Sequence, residues 1–330
     1  MDYMVSIKTL YPESLTPLMT RLDELGEKAI VSDLIELFDP DGAHNLGDDC
    51  AVVDLGRDYL LVTTDIINRK THIPEGAGSR DVGWHIAAIN LSDIAAMGGQ
   101  PLGMLFAFGL RGDAPVSDLT EISEGIRECC SNYAIPVLGG DTKESDVLTI
   151  SGTAIGTVPK SEILWRKGAK PGDIIAMTGV LGKPMEWFRA KDPHKAQFLL
   201  RVVPRIREGR ILAQSQAVTS CIDMSDGLST SLHHLAKAGG VGLEVDFNRL
   251  LFAQGLSLEE KEHALHLGGD YELLFTVSPD RAEHVFNADF GTSPITQVGE
   301  VTEDTGVFIL KDGATSQLPD KGYEHFGGSA

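Results

Sequence analysis

The stretch GDDCAVVDLGRDYLLVTTD, residues 47–65, decides how the first half of this chain folds. Two runs rich in Val and Leu, Cys50–Asp54 and Tyr59–Thr64, flank Gly56-Arg57-Asp58, which reads as two strands joined by a tight turn. Such a hairpin brings the carboxylates at its entrance, Asp48 and Asp49, to the same end as Asp65 at its exit. The hydroxyl and carbonyl oxygens of Thr63 and Thr64, just before Asp65, are acceptable ligands for a hard divalent cation.

Further along, four more acidic tags sit where an apolar run meets Gly, Ser or Thr: Asp93 in Asn90-Leu91-Ser92-Asp93, Asp141 in Gly139-Gly140-Asp141-Thr142, Asp223 and Asp226 in Asp223-Met224-Ser225-Asp226-Gly227, and Asp270 in Gly268-Gly269-Asp270-Tyr271-Glu272. Carboxylates presented in this way suit Mg2+, with a polyphosphate as the molecule the metal serves. Asp93 lies in a helix otherwise built of Ala, Ile and Met, where a carboxylate pays desolvation unless it is paired, bound to metal, or on a polar face. The paired glycines 139 and 140 allow a backbone to approach a ligand closely, or else form a plain turn. Asp223 and Asp226 precede a helix, where they serve either a metal-bound phosphate or ordinary N-capping. Arg166-Lys167, near the middle of the chain, is a solvated connector or a phosphate contact.

Several nucleotide and hydrolase motifs are missing. There is no P-loop, no Gly-x-Gly-x-x-Gly opening a helix, no complete calcium loop and no Gly-x-Ser-x-Gly elbow. With 28 basic against 48 acidic residues the formal net charge is -20, which argues against nucleic acid or an anionic membrane as the main partner. The four cysteines have no metal-finger spacing and no CxxC pair, so a reducing cytoplasm is expected. No apolar run of about 18 residues appears and no charged n-region followed by an apolar h-region opens the chain, so a soluble intracellular protein is expected.

At 330 residues, 42% of them hydrophobic, two domains are expected. Helical spacing runs from Ser14 to Phe38 and from Ser79 to Met97. A strand over Leu102–Leu110, a helix over Ser117–Tyr133 and strands over Ile135–Leu138 and Val147–Ile155 complete the first half. After a break over Pro159–Gly172, strands are expected near Ile174–Thr178, Cys221–Asp223, Leu243–Phe247, Glu272–Val277 and Ile295–Val298, with helices between them. The class is α+β in two lobes, residues 1–160 and 161–330.

Taken in order, the tags above, together with His72, Arg166-Lys167-Gly168-Ala169-Lys170-Pro171-Gly172-Asp173, Asp270-Tyr271-Glu272-Leu273-Leu274-Phe275 and Gly322-Tyr323-Glu324-His325-Phe326, resemble the thiamine-monophosphate kinase family. The resemblance implies the aminoimidazole ribonucleotide synthetase-like fold, with an N-terminal α/β ATP-binding lobe that pairs with a dimer mate and a C-terminal α+β lobe. It implies transfer of the ATP γ-phosphoryl group to thiamine monophosphate. By motif matching, Asp49, Thr63, Thr64, Asp65, Asp93, Asp141, Asp223 and Asp226 would hold Mg2+. Gly140, Asp141, Arg166 and Ser225 would meet ATP, Asp141 and Arg166 would act in catalysis, and His72 and Tyr323 would face the acceptor. The chain departs from the family at Gly269, where many members carry a Glu on the substrate side, and at Arg69-Lys70, which would add positive charge beside the acceptor phosphate. Two alternatives stand beside this reading: the same ATP site with another acceptor, and a nucleotide-binding regulator without turnover.

Overall fold

The computed structural model describes residues 21–42 and 46–326. Two compact units emerge, one of residues up to Asp48 together with those from Tyr323 on, the other Asp49–Gly322. In the first unit, α1 (Leu22–Leu25) and α2 (Glu27–Phe38) realise the described part of the expected N-terminal helix, and residues 14–20 of that expectation lie outside the described residues. Its C-terminal segment is tied to the start of α2: Glu27 N–H donates to His325 O at 3.2 Å, and His325 N–H to Glu27 Oε2 at 2.8 Å.

The second unit holds two sheets. The expected hairpin forms as β1 (Ala51–Asp54) and β2 (Asp58–Asn68), with Gly56 at φ +93° in the turn. Then come α3 (Ser79–Ala96), β3 (Gln100–Leu110), α4 (Val116–Asn132), β4 (Val137–Glu144) and β5 (Thr149–Pro159), and the strand order is β1-β2-β5-β3-β4. Only β3 and β4 run parallel in this sheet, because α4 carries the chain back between them. β6 (Ile174–Thr178), α5 (Met185–Ala190), α6 (Gln197–Leu200), α7 (Ile206–Ser215), β7 (Val218–Asp223), α8 (Leu228–Gly239), β8 (Gly242–Asp246), α9 (Leu258–Ala264), β9 (Leu273–Val277), α10 (Ala282–Phe286), β10 (Ile295–Thr302), β11 (Gly306–Lys311) and β12 (Ala314–Gln317) follow. These strands form a sheet of order β12-β11-β8-β10-β6-β9-β7. Among the described residues no helix is long and apolar enough to cross a membrane.

Two differences from the sequence reading are physical. Gly139-Gly140-Asp141-Thr142 is not a turn but the middle of β4, and Gly140 serves packing: a Cβ there would lie 1.8 Å from the Phe106 carbonyl oxygen. The β11–β12 hairpin was not foreseen, since its apolar run is short and follows closely on β10.

Helix α3 is buried on nearly every side, which explains its lack of a polar stripe. It lies on the first sheet and also touches α4, α7 and β7. Glycines let the helices approach. A Cβ at Gly83 would stand 1.9 Å from Ile122 O, one at Gly125 1.9 Å from Arg80 O, and one at Gly209 of α7 2.2 Å from Ala95 O. Gly125→Ala must push two backbones apart and is expected to destabilise the fold by about 3 kcal/mol, at the upper end of ordinary overpacking. Urea unfolding checks this, and a loss below about 1 kcal/mol would mean that α4 slides aside freely.

Candidate active site

Three carboxylates converge where α3 passes between the sheets. Asp49 enters from the residue pair before β1, Asp93 from the last turn of α3, and Asp223 from the last residue of β7. One oxygen of each lies within 4.8 Å of the other two. Asp65, on the α3 face of β2, and Asp226, in the loop leading into α8, add their charge: Asp65 raises the Asp93 pKa and Asp226 raises that of Asp65.

Neighbouring hydroxyls fix the carboxylates in place. Thr63 Oγ1 donates to Asp93 Oδ2 at 2.6 Å, and Ser92 Oγ to Asp223 Oδ2 at 2.5 Å. The tags Asn90–Asp93 and Asp223–Asp226 are thus physically joined. Asn90 Oδ1 accepts from the Asp65 backbone N–H at 3.2 Å. Arg166 Nη2 donates to Asp49 Oδ1 at 2.6 Å and Nη1 lies 3.3 Å from His234 Nδ1. The arginine is held there because Trp165 O accepts from Cys221 N–H of β7 at 2.9 Å.

The electrostatics follow from burial and crowding. Burial, then the Asp226 charge, lifts Asp65 to about 6. Burial, then Asp49, lifts Asp223 to about 8 against the opposing pull of Ser92 and Arg166. Asp93 is pushed well above the carboxylate range by burial and by Asp65, Asp223 and Asp49. These groups cannot all be ionised without added positive charge. An all-oxygen donor set of carboxylates and hydroxyls with this repulsion fits a hard divalent cation such as Mg2+.

Of the residues singled out in the sequence, Asp49, Thr63, Asp65, Asp93, Asp223, Asp226 and Arg166 are gathered here, with Ser225 in the same loop as Asp226. Thr64 points its hydroxyl to the opposite face of β2, where it donates to Gly152 O at 2.9 Å. Asp141 is not brought to the cluster. It pairs in register with Ala107, which pairs with Ser151, which pairs with Ile66, so it stands on the outer face of the sheet, three strands from β2. That is about 14 Å away across the sheet. Asp141 and Gly140 are exposed, and Asp141 lies 3.7 Å from Lys143 Nζ.

His72 lies beyond the end of β2, its Nδ1 2.7 Å from Thr71 Oγ1. Tyr323 belongs to the other unit, its ring edge-on to His325 at 4.8 Å. Arg69 and Lys70 line a cleft of about 670 Å³ with Leu110, Val116, Leu119 and Leu148, and none of the clustered carboxylates lines it.

Sequence reasoning missed the parts played by Asp270-Tyr271-Glu272. Asp270 is buried and accepts the backbone N–H of Gly182 at 2.8 Å and of Lys183 at 3.1 Å, so it holds a loop and not a metal. Glu272 takes Arg205 in a two-pronged ion pair, both contacts at 2.6 Å. Tyr271 alone sits by the cluster: burial and the charges of Asp65, Asp223, Asp226 and Asp93 push its phenol well above its ordinary value. An aromatic between two acids was the available signal.

Comparison with known proteins identifies the family. Residues 47–158 match the model for the N-terminal domain of AIR synthase related proteins, and residues 170–311 that for the C-terminal domain. The thiamine-monophosphate kinase of Methanospirillum hungatei is 36% identical over 295 residues, covering 89% of this chain and 98% of that protein. That of Escherichia coli K12 is 34% identical over 301 residues, covering 85% and 91%. The solved structure of AaThiL complexed with AMPPCP and TMP superposes with a TM-score of 0.81 at 29% identity, covering 94% of this chain and all of that one. The chain belongs to the thiamine-monophosphate kinase family, enzymes built on the paired AIR synthase-related domains.

Proposed function

We propose that this enzyme transfers the γ-phosphoryl group of ATP directly to thiamine monophosphate, giving thiamine diphosphate, with Mg2+ held by Asp49, Asp93 and Asp223 and by Asp65 and Asp226 beside them. The observation that carries the reading is the convergence of three carboxylate oxygens within 4.8 Å in a chain of this family. When bound, Mg2+ supplies the positive charge that lets two anionic phosphates meet.

The residues supply the rest. Thr63 and Ser92 orient Asp93 and Asp223 by donating to one oxygen of each. Arg166 and Ser225 bind the ATP phosphates, and the guanidinium, now against Asp49, is placed to follow charge from one anion to another. A phosphate monoester has a second pKa of about 6, so the acceptor oxygen is already an anion near neutral pH and no side chain need remove a proton. His72 faces the acceptor in this reading.

Asp141 finds a place if the enzyme is a homodimer joined through the outer face of the first sheet. That face exposes Val53 and Ile66, the latter in the cross-strand row of Asp141, and in this reading a second copy pairs through it and Asp141 serves the partner's site. Mixing Asp141→Asn with Asp93→Asn protomers is then expected to restore up to about a quarter of wild-type activity, the share of hybrid sites carrying both intact groups. No recovery in mixtures shown to exchange subunits would confine Asp141 to its own chain.

The reading as a whole is tested by following thiamine diphosphate directly from ATP, Mg2+ and thiamine monophosphate, with thiamine as the control acceptor. Product from the monophosphate alone is expected. ATP binding without product would turn attention to another acceptor.

A further inference from the structure

Tyr271 is used by nothing described so far. It holds φ +50°, a conformation that a bulky aromatic residue rarely adopts and that costs energy to keep. Backbone hydrogen bonds enforce it: Tyr271 N–H donates to Met224 O at 3.1 Å, Met224 N–H to Glu272 O at 2.8 Å, and Gly269 N–H to Ser225 O at 2.8 Å. The strained residue is therefore laced to the same loop that carries Asp223 and Asp226. Its phenol lies close enough to Asp65, Asp93, Asp223 and Asp226 to feel all four, yet among the described residues its hydroxyl makes no hydrogen bond.

The other side of the ring is also defined. His85 meets it edge-on, with centroids 6.0 Å apart and planes at 84°. His85 Nδ1 lies 3.2 Å from the Leu200 carbonyl oxygen, which only accepts, so Nδ1 carries a proton, and burial lowers the ring's pKa to about 4, which keeps it neutral near pH 7. His72 is near enough for its charge to act on His85. Tyr271 thus has four carboxylates acting on its phenol and His85 against its ring, while Arg166 reaches the same cluster through Asp49.

We propose that Tyr271 is a catalytic residue of this reaction, its phenolic O–H donating a hydrogen bond to the phosphate of the acceptor. The inference rests on the phosphoryl transfer proposed above. The proton stays on the phenol throughout; the acceptor oxygen forms the new bond to the γ-phosphorus, and the bond from that phosphorus to the ADP oxygen breaks. A neutral donor among carboxylates offers the incoming phosphate an attractive contact where the protein otherwise repels it, and holds its oxygen in line.

The test is Tyr271→Phe, which keeps the ring and the backbone and, since the hydroxyl has no partner among the described residues, leaves none of them unsatisfied. With wild type turning over as the reference, kcat/KM for thiamine monophosphate is expected to fall about 10- to 100-fold, the usual effect of losing one such donor, while the KM for ATP stays within about twofold. An unchanged kcat/KM for the acceptor, or an equal loss toward ATP, would overturn the assignment. If the Phe variant melts below the assay temperature, equilibrium dialysis of thiamine monophosphate with the folded variant in the cold replaces the assay: weaker binding than wild type is expected, and equal binding would overturn the assignment. A wild type that makes no thiamine diphosphate would count against the parent reading and not against Tyr271.

Discussion

Asp223→Asn is expected to lower phosphoryl transfer on the order of a thousandfold, by removing one of the carboxylates that would hold the cation opposing phosphate repulsion. The same change is expected to make the protein more stable in a chelator. Asp223 is buried, and its pKa is raised by that burial and by Asp49 to about 8. The sign of the pH dependence follows. The unfolded chain releases this proton near pH 4, the folded one only near 8, so the group opposes folding increasingly as pH rises between those values. At full ionisation the opposition is on the order of 5 kcal/mol, shared with its neighbours because the carboxylates titrate together. Asp65, raised to about 6, adds to the same slope.

Denaturant unfolding in EDTA from pH 4 to 8 should therefore show wild type losing stability across that window. Asp223→Asn should flatten the curve, and Mg2+ should restore the wild type. A flat wild-type curve, or a variant less stable than wild type at pH 8, would mean that the carboxylates are not crowded as described.

The second large effect concerns stability alone. Glu272→Ala is expected to cost about 3 to 5 kcal/mol, because it strands Arg205, a mostly buried guanidinium, without its counter-charge. Glu272 also accepts from Lys183 Nζ and Thr178 Oγ1, each at 2.7 Å. Burial alone would raise its pKa, yet Arg205 and Lys183 outweigh it and hold the carboxylate below its ordinary value. Gly179 faces this carboxylate at φ +62° with no room for a Cβ, so no side chain there can take over. Urea midpoints for the variant and wild type decide the matter, and a difference below about 1 kcal/mol would show that Arg205 finds solvent or Glu208 instead.

How much of this was legible in the sequence varies with the physics involved. The β1–β2 hairpin was readable because two Val- and Leu-rich runs around a turn glycine are local signals, and Asp93 because a carboxylate in an apolar helix demands an explanation. The strand through Gly139-Gly140 was not, since the need for glycine there comes from Phe106, a residue of another strand. Likewise Asp270, Tyr271 and Glu272 are neighbours in the chain with three different destinations, and only the packing of the 182–183 loop and of Arg205 separates them. The position of Asp141 on the outer face follows from sheet register, which strand pairing sets at long range.

The glycine crossings of α3 carry a last consequence. Gly83, Gly125 and Gly209 fix where that helix lies against its neighbours, and with it the place of Asp93. Residues without a single polar side-chain atom thereby fall under selection for chemistry. A methyl group added at any of the three would be felt at the acid cluster as a misplaced oxygen, so the tolerance of this enzyme to mutation should be lowest along a line of contacts that no inventory of ligands would mark.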